Sequence, residues 1–469
     1  MKKIITSTLL SLVLSMPAIV SAHDDGAYYH GDGAVAHHPS WMQRLSDDTR
    51  LNKMSLVGSH DTLSFHGGDI VQTQSMSLKD QLESGIRVLD IRNRHINNKF
   101  AIHHGIVFQH AWFGEDVLKP VVEFLKANPS ETILMNIQPA HTEKDNTRKF
   151  EETLDQYAAD YNAPFWTPTS LNPTLSEIRG KIVMLYKHFT PRNVRGIHQS
   201  QLSGGVPDYT MDNNWELHEQ WQGVKARFEA ADNGNHAVIY NHGLNASGGS
   251  FPYFVASGHS SPGTSAPRLA TGLTTPGWKD SYPDFPRVNC FIGICTIAFE
   301  GLNTLAADYI QNGNIQSRAL GLVWSDFPGK RLIENVINLN VPEYRMLVDQ
   351  RSGLCLDVKY AQTHNGNDVW LWPCDGNAAQ LWAYDASSGY VKSKLGKCLD
   401  NRGQTYSDGT VGIWDCVDSN NLRFDLVGNT LRSRNDNNIV LDAMSTEQGG
   451  RVGQWQHHGG ANQQWLWRE

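Results

Sequence analysis

The sequence predicts an α/β unit built on a parallel sheet, followed by a smaller all-β unit with threefold internal symmetry. Three observations carry this reading. Between about residues 41 and 340, short apolar runs alternate with amphipathic helical patterns, as a parallel sheet with crossover helices requires. Between 343 and 469, three sequence marks recur at one spacing. Four of the six cysteines follow that period. A chain of 469 residues allows about three average domains, and the pattern resolves two. With 40 Lys+Arg against 48 Asp+Glu and a net charge of −8, the chain lacks the cationic excess of a general nucleic-acid binder. The partners expected here exclude nucleic acid.

Lys2 and Lys3 precede an apolar run from Ile4 to Val20 that ends in Val20-Ser21-Ala22. A charged start, an apolar centre and small residues at the cut predict a signal peptide over 1–22 and a secreted protein, extracellular or periplasmic. Residues 23–40 are rich in Gly, Asp and His, with no zinc-ligand spacing, and are expected to form a flexible leader. No later stretch is long and apolar enough to span a bilayer.

Strands are expected over 55–58, 86–91, 100–103, 132–137, 181–186, 237–240 and 319–324. Helices are expected over 115–127, 150–161, 216–231 and 297–312. The sheet is either open or closed into a barrel, and in a barrel the chemistry gathers at the carboxyl ends of the strands. Polar residues cluster there: Gly58-Ser59-His60-Asp61-Thr62, Asp90-Ile91-Arg92, His103-His104-Gly105 and Ser325-Asp326. Two imidazoles can serve as general base and general acid. An arginine can clamp a phosphate and meet developing charge, and an aspartate can orient an imidazole. His103 and His104 are adjacent and alternate across a strand, so only one can face the mouth.

In the C-terminal unit, Leu-Asp pairs end at Asp357, Asp400 and Asp442, spaced 43 and 42. Trp372, Trp414 and Trp455 are spaced 42 and 41, as are Trp382, Phe424 and Trp465. Cys355 and Cys374 bracket one stretch of the first copy, and Cys398 and Cys416 bracket the same stretch of the second. The repeat therefore predicts bridges 355–374 and 398–416 and leaves Cys290 to pair locally with Cys295. An exported chain is also one in which such bridges persist.

These repeats, with Gln380-x-Trp382 and Gln463-x-Trp465, resemble the ricin-type β-trefoil lectins over roughly 343–469. The resemblance implies shallow sugar sites in which an Asp takes ring hydroxyls and an aromatic stacks on the sugar. The third copy holds Asp442, Trp455, Asn462 and Gln463. The first holds Asp357 and Trp372, with Ala379 where an Asn is expected. The second holds Asp400, Trp414 and Asn421, with Leu422 in place of the Gln, and is the least favoured.

The motifs Gly58-Ser-His60-Asp61-Thr, Gln81 to Arg92, His103-His104-Gly105 and Asn128-Pro-Ser-Glu-Thr132 resemble bacterial phosphatidylinositol-specific phospholipase C. The resemblance implies a distorted (β/α), TIM-like barrel ahead of the all-β β-trefoil. It implies His60 as general base on the inositol 2-hydroxyl and His104 as general acid on the glycerol oxygen. Arg92 would contact the phosphate, Asp61 would support Arg92 and His104, and Asp326 would orient His60. The products would be diacylglycerol and inositol 1,2-cyclic phosphate, followed by slow hydrolysis of the latter. With Arg92 where related enzymes hold calcium, no metal or other cofactor is expected.

Two departures concern the head group: Gln138-Pro139 stands where a lysine is usual, and Lys187 where an arginine is usual. Lys187 and Trp215 are the expected inositol contacts, and glycosylated inositol lipids are a reasonable extension. The Gly-, Ser- and Pro-rich segment 248–286 is expected to touch the lipid interface, and the protein is expected to be a monomer. Two further readings remain: a carbohydrate-binding adhesin or toxin with an inactive barrel, and a barrel phosphodiesterase acting on another phospholipid.

Overall fold

The structure is a computed structural model that describes residues 26–203, 210–234, 237–262, 267–312, 314–315, 319–340, 344–385 and 388–468. The expected signal peptide, 1–22, lies outside the described residues. Among those described, no helix is long and apolar enough to cross a membrane.

The first unit opens with strands β1 (Ser55–Ser59), β2 (Val88–Ile96), β3 (Lys99–His104), β4 (Val107–Trp112), β5 (Ile133–Pro139), β6 (Ile182–Tyr186), β7 (Gly196–His198) and β8 (Leu202–Ser203). It continues with β9 (Thr210–Met211), β10 (Ile239–Leu244), β11 (Ser247–Gly248), β12 (Ala270–Thr274), β13 (Arg287–Phe291), β14 (Ile294–Ala298) and β15 (Gly321–Ser325). The main sheet runs β7-β6-β5-β2-β1-β15-β10-β8, and neighbours on this path are parallel. Its two end strands, β7 and β8, are separated in sequence only by the turn Gln199–Gln201. The sheet therefore curls into a nearly closed barrel with a seam at that turn. The central strands β1 and β15 are buried along their whole length, as parallel strands covered on both faces must be. Leu56, Val57, Val88, Leu89, Leu322 and Val323 form part of one continuous core.

The strand expectations hold in place with shifted ends. The stretch at 100–103 is not a parallel strand: β3 runs antiparallel to β2 and continues into the hairpin β3–β4. The helix expected over 297–312 is also shorter. Ile297 and Ala298 end β14, Gly301 is the N-cap, and the helix spans Leu302–Gln311. The apolar run crosses a strand–helix junction, which periodicity alone does not divide.

Residues 26–40 correct the expectation of a flexible leader. Gly329 N donates to Ala27 O, Tyr29 N donates to Phe327 O, and the buried Arg87 guanidinium donates to His38 O and Pro39 O. Tyr28 is buried with Tyr253, Ala256 and Phe327. An aromatic anchor within polar sequence holds this segment on the barrel.

The second unit closes by pairing its first strand, Arg345–Asp349, with its last, Trp465–Arg468. Leu356, Leu399 and Leu441 are equivalent repeat positions and all are fully buried, as are Trp382 and Trp465, with Phe424 nearly so. Three copies thus contribute to one core, the β-trefoil arrangement. The expected bridges are present as Cys355–Cys374, Cys398–Cys416 and Cys290–Cys295.

Candidate functional site

The barrel strands bring the expected site residues together at their carboxyl ends. His60 follows β1, Asp326 follows β15, and Arg92 lies on β2. β2 runs past β1, with Leu89 paired to Ser59, so Arg92 overhangs the end of β1. β3 then returns antiparallel and delivers His104 to the same place. Of the adjacent pair, His103 is buried against Phe108 and His141, and its desolvated ring has a lowered pKa. His104 is the one that faces the mouth.

Hydrogen bonding fixes the state of His60. Arg92 Nη2 lies 2.7 Å from His60 Nε2, and a guanidinium only donates, so Nε2 carries a lone pair. Nδ1–H then donates to Asp326 Oδ1 at 2.7 Å. Burial works against charge on the ring, but Asp326 and Asp61 outweigh it and raise the His60 pKa above 6.5. Asp326 is fully buried, and that burial raises its own pKa against the lowering effect of His60.

Asp61 lies between both imidazoles. Its Oδ1 pairs with Arg92 Nε at 2.7 Å, while Oδ2 stands 3.5 Å from His60 Nε2 and 3.7 Å from His104 Nε2. The residue sits at φ 43°, which costs a non-glycine residue on the order of 1 kcal/mol. Its amide donates to Asp90 Oδ2, and its carbonyl accepts from the Thr73 hydroxyl, holding this conformation. The Ser64 hydroxyl donates to Val71 O, so it accepts from His104 Nδ1–H at 3.0 Å. His104 Nε2 is thereby directed toward the Asp61 side of the site.

Sequence reasoning missed the support beneath Arg92. Asp90 Oδ2 accepts from Arg92 Nε at 3.0 Å, and Asp90 Oδ1 accepts from Asn136 at 2.7 Å and Gln138 at 3.3 Å. Gln199, in the seam turn, donates to Asn136 Oδ1 at 2.6 Å. Burial alone would raise the Asp90 pKa, but Arg92, His60 and these hydrogen bonds lower it. The available signal was the spacing: Asp90 and Arg92 share one face of β2, and their partners across β5 are Asn136 and Gln138. Gln138, standing where a lysine is usual, thus adds an amide donor to Asp90.

Donor atoms of His60, Asp61 and Asp90 lie within 4.8 Å of one another, a set that could hold a cation. The Arg92 guanidinium contacts all three of these residues and brings its own positive charge to them. The two expected inositol contacts sit farther out. Lys187 is exposed just beyond β6. Trp215 is 45% exposed and packs on Phe299 and Tyr282, so it is not a core tryptophan. Neither is hydrogen-bonded to His60, Arg92 or His104.

In the trefoil the three copies differ by one residue opposite the repeated Asp. Asp357 pairs across the strands with Trp370, Asp400 with Gly412, and Asp442 with Gly453. In the first copy Trp370 Nε1 donates to Asp357 Oδ1, Gln380 donates to Oδ2, and Trp372 stacks on Trp370. That site is filled by its own side chains. In the third copy Asn462 donates to both oxygens of Asp442, and Trp455 is 41% exposed. Gln463, expected as a sugar contact, is fully buried and donates to Asp442 Oδ2, so it positions the carboxylate instead.

The second copy, least favoured by sequence, opens a cavity of about 500 Å³ lined by Gly366, Asp400, Arg402, Trp414, Asn421 and Leu422. Leu422 stands where Gln380 and Gln463 donate to the carboxylate in the other two copies, and the Arg402 guanidinium lies against Gly412 on the facing strand.

A parallel barrel with an imidazole–guanidinium–carboxylate centre at its strand ends, joined to a threefold β unit, defines a two-part protein with a candidate acid–base site. Residues 49–188 match the family described as "Phosphatidylinositol-specific phospholipase C, X domain", and 343–465 match "Ricin-type beta-trefoil lectin domain". Two separate stretches of the chain thus resemble two different families, the first within the barrel and the second over the threefold β unit. It is similar to the 1-phosphatidylinositol phosphodiesterase of Listeria monocytogenes, 36% identical over 32% of this chain and 50% of the relative. It is also similar to that of Staphylococcus aureus (strain NCTC 8325 / PS 47), 34% identical over 39% of this chain and 58% of the relative. The chain therefore spans about half the length of these curated relatives. A solved structure of the phosphatidylinositol-specific phospholipase C from Listeria monocytogenes covers 65% of this chain and 99% of its own, at 24% identity and a TM-score of 0.46.

Proposed function

We propose that this protein is a secreted phosphatidylinositol-specific phospholipase C whose trefoil binds carbohydrate. The observation that carries the catalytic reading is the Arg92 guanidinium held among Asp61, Asp90 and the lone pair of His60 Nε2. In the proposed reaction the inositol 2-hydroxyl displaces Arg92 from His60 Nε2 and gives up its proton there. The 2-oxygen forms a bond to phosphorus, while the bond from phosphorus to the glycerol oxygen breaks. His104, protonated and carrying Nε2–H, donates that proton to the leaving oxygen. Arg92 meets the charge on the nonbridging oxygens, and Asp326 stabilises the imidazolium formed on His60. Diacylglycerol and inositol 1,2-cyclic phosphate leave, and water with the reversed roles of the two imidazoles opens the cyclic ester slowly.

Phosphatidylinositol incubated with the purified protein in excess EDTA, followed by phosphorus NMR, tests this reading. The cyclic phosphate resonance is expected, and its absence overturns it. The cation-sized donor set of His60, Asp61 and Asp90 favours one rival, a metal-assisted phosphodiesterase. Activity that returns only on adding calcium or magnesium would select that rival.

For the trefoil, the second copy, with its cavity, and the third, with its exposed Trp455, are the proposed sugar sites. Asp400 and Asp442 would accept from ring hydroxyls, and Trp414 and Trp455 would stack on the sugar face. On a glycan array, Trp414→Ala and Trp455→Ala are each expected to weaken binding, whereas Trp372→Ala should change it little. Equal losses at all three copies would reject this assignment.

A further inference from the structure

Two imidazoles that the catalytic reading does not use meet where the hairpin β3–β4 passes the loop after β1. The rings of His66 and His110 stand 4.9 Å apart between centres, with their planes at 87°. Both side chains are exposed. Among the described residues, the His110 ring also packs on Phe108, and no hydrogen bond or ion pair engages a nitrogen of either ring. Their lone pairs therefore face solvent side by side.

Local backbone structure builds this pair. Between the paired positions Ala101–Trp112 and His103–Phe108, one residue of β3 faces three of β4: Gln109, His110 and Ala111. Within this bulge His110 sits at φ 55°, a left-handed conformation that few non-glycine residues adopt. A bulge bends its strand and re-aims the side chains it carries. Gln109 is buried and grips the other half of the pair. Its Oε1 accepts from Phe65 N at 2.9 Å and His66 N at 2.8 Å, and its Nε2 donates to His66 O at 3.0 Å. One buried amide thus fixes the backbone of His66 against the residue that precedes His110.

The separation suits a single bridging ion. A tetrahedral zinc ion about 2.0–2.1 Å from each ring nitrogen holds two imidazole centres about 5 Å apart. Imidazole favours zinc, copper and nickel, whereas calcium and magnesium are held by oxygen. We propose that His66 and His110 form a binding site for an imidazole-preferring metal dication such as zinc, with water in its remaining positions. The site shares no residue with the donor set of His60, Asp61 and Asp90. The ion ties the loop after β1 to the hairpin β3–β4. Those two segments supply Ser64 and His104, so the staple lies beside the hydrogen bond that orients the His104 ring. Its role is to brace this corner of the mouth, and neither the site nor its test depends on the proposed reaction.

The test uses the full chain, zinc chloride as the probe, and the variants His110→Asn and His66→Ala. Asparagine accepts the left-handed backbone at 110, and alanine at 66 leaves the backbone bonds to Gln109 in place. In isothermal titration each variant is expected to bind zinc at least about 10-fold more weakly than the wild type. Hydrogen exchange read by mass spectrometry localises the ion. Zinc is expected to slow exchange of the Phe65 and His66 amides in the wild type and in neither variant, and calcium chloride in none of the three. In EDTA all three proteins should exchange alike, which shows the hairpin intact; if His110→Asn exchanges faster there, His66→Ala alone decides. The proposal is overturned if both variants bind zinc as tightly as the wild type, or if zinc slows these amides equally in all three. Protection that survives both substitutions and is lost in Asp90→Asn places the ion in the catalytic centre and overturns it as well.

Discussion

At His60, one carboxylate sets both tautomer and proton affinity. Asp326 takes the Nδ1 proton, which leaves the Nε2 lone pair toward the mouth, and with Asp61 it raises the ring's pKa. Because the proposed base must be unprotonated, kcat/KM should rise with pH along a limb whose midpoint lies above 6.5. Asp326→Asn removes a charge that favours imidazolium, so the limb should move to lower pH while kcat/KM falls by about 10²- to 10⁴-fold. A limb that stays in place would assign it to another group. Arg92→Lys should lower kcat by on the order of 10²-fold, because one ammonium cannot keep the Asp61, Asp90 and His60 contacts and also serve the phosphate. His104→Ala should lower turnover by about 10²- to 10⁴-fold, measurable on soluble cyclic phosphate as well as on lipid. The candidate groups were legible in sequence because they are polar residues at the ends of apolar runs. Asp90 was visible in that set, but its tie to Arg92 and the Asn136 and Gln199 behind it were not, since a polar residue inside or beside a buried strand reveals its partner only once the register is known. The second copy was disfavoured because Leu422 replaces the Gln, yet Leu422 lines its cavity together with the expected Asp400, Trp414 and Asn421.

Among the elements, the trefoil loops show how a covalent tie substitutes for packing. The Cys398–Cys416 bridge spans 18 residues beside the open second copy. Replacing both cysteines with serine should destabilise the trefoil by about 3 kcal/mol. In a calorimetric scan its transition should move to lower temperature, and phosphorus NMR should show phosphatidylinositol turnover unchanged below that transition. Loss of the barrel transition at the same time would mean that the two units unfold as one. Most strands were readable from apolar runs, and the cysteine pairs from the repeat. The hairpin β3–β4 was not, because a strand that doubles back on a parallel sheet is as apolar as one that does not. The helix over Lys330–Leu339 does carry a readable signal: Leu332, Ile333, Val336 and Ile337 lie on one buried face after Gly329. At Leu302–Gln311 the useful sign was Gly301, since the apolar pattern runs unbroken from β14 into the helix.

For the whole molecule, the contacts between barrel and trefoil among the described residues include Arg423, which pairs with Asp48 at 3.2 Å. A partly exposed ion pair adds little stability, and under the proposed reading the trefoil would serve the barrel by raising its local concentration at a glycan-bearing surface. With Trp414→Ala and Trp455→Ala combined, turnover on plain phosphatidylinositol vesicles should be unchanged. On vesicles that also display a bound glycan the rate should fall by about 10²-fold, and an equal rate on both would separate the lectin from catalysis. The two-unit plan was visible from the change between alternating strand–helix pattern and tandem repeat. The docking of residues 26–40 was not, because Tyr28 finds its neighbours Tyr253 and Phe327 far along the chain. The barrel seam has a consequence of its own. Gln199 belongs to the short turn that spans the gap in the cylinder, yet its amide reaches inward to Asn136, and through Asn136 to the carboxylate that carries Arg92. The seam of the wall thus adjoins the line of contacts that ends on Arg92, so widening of that gap would reach the guanidinium through two amides and a carboxylate.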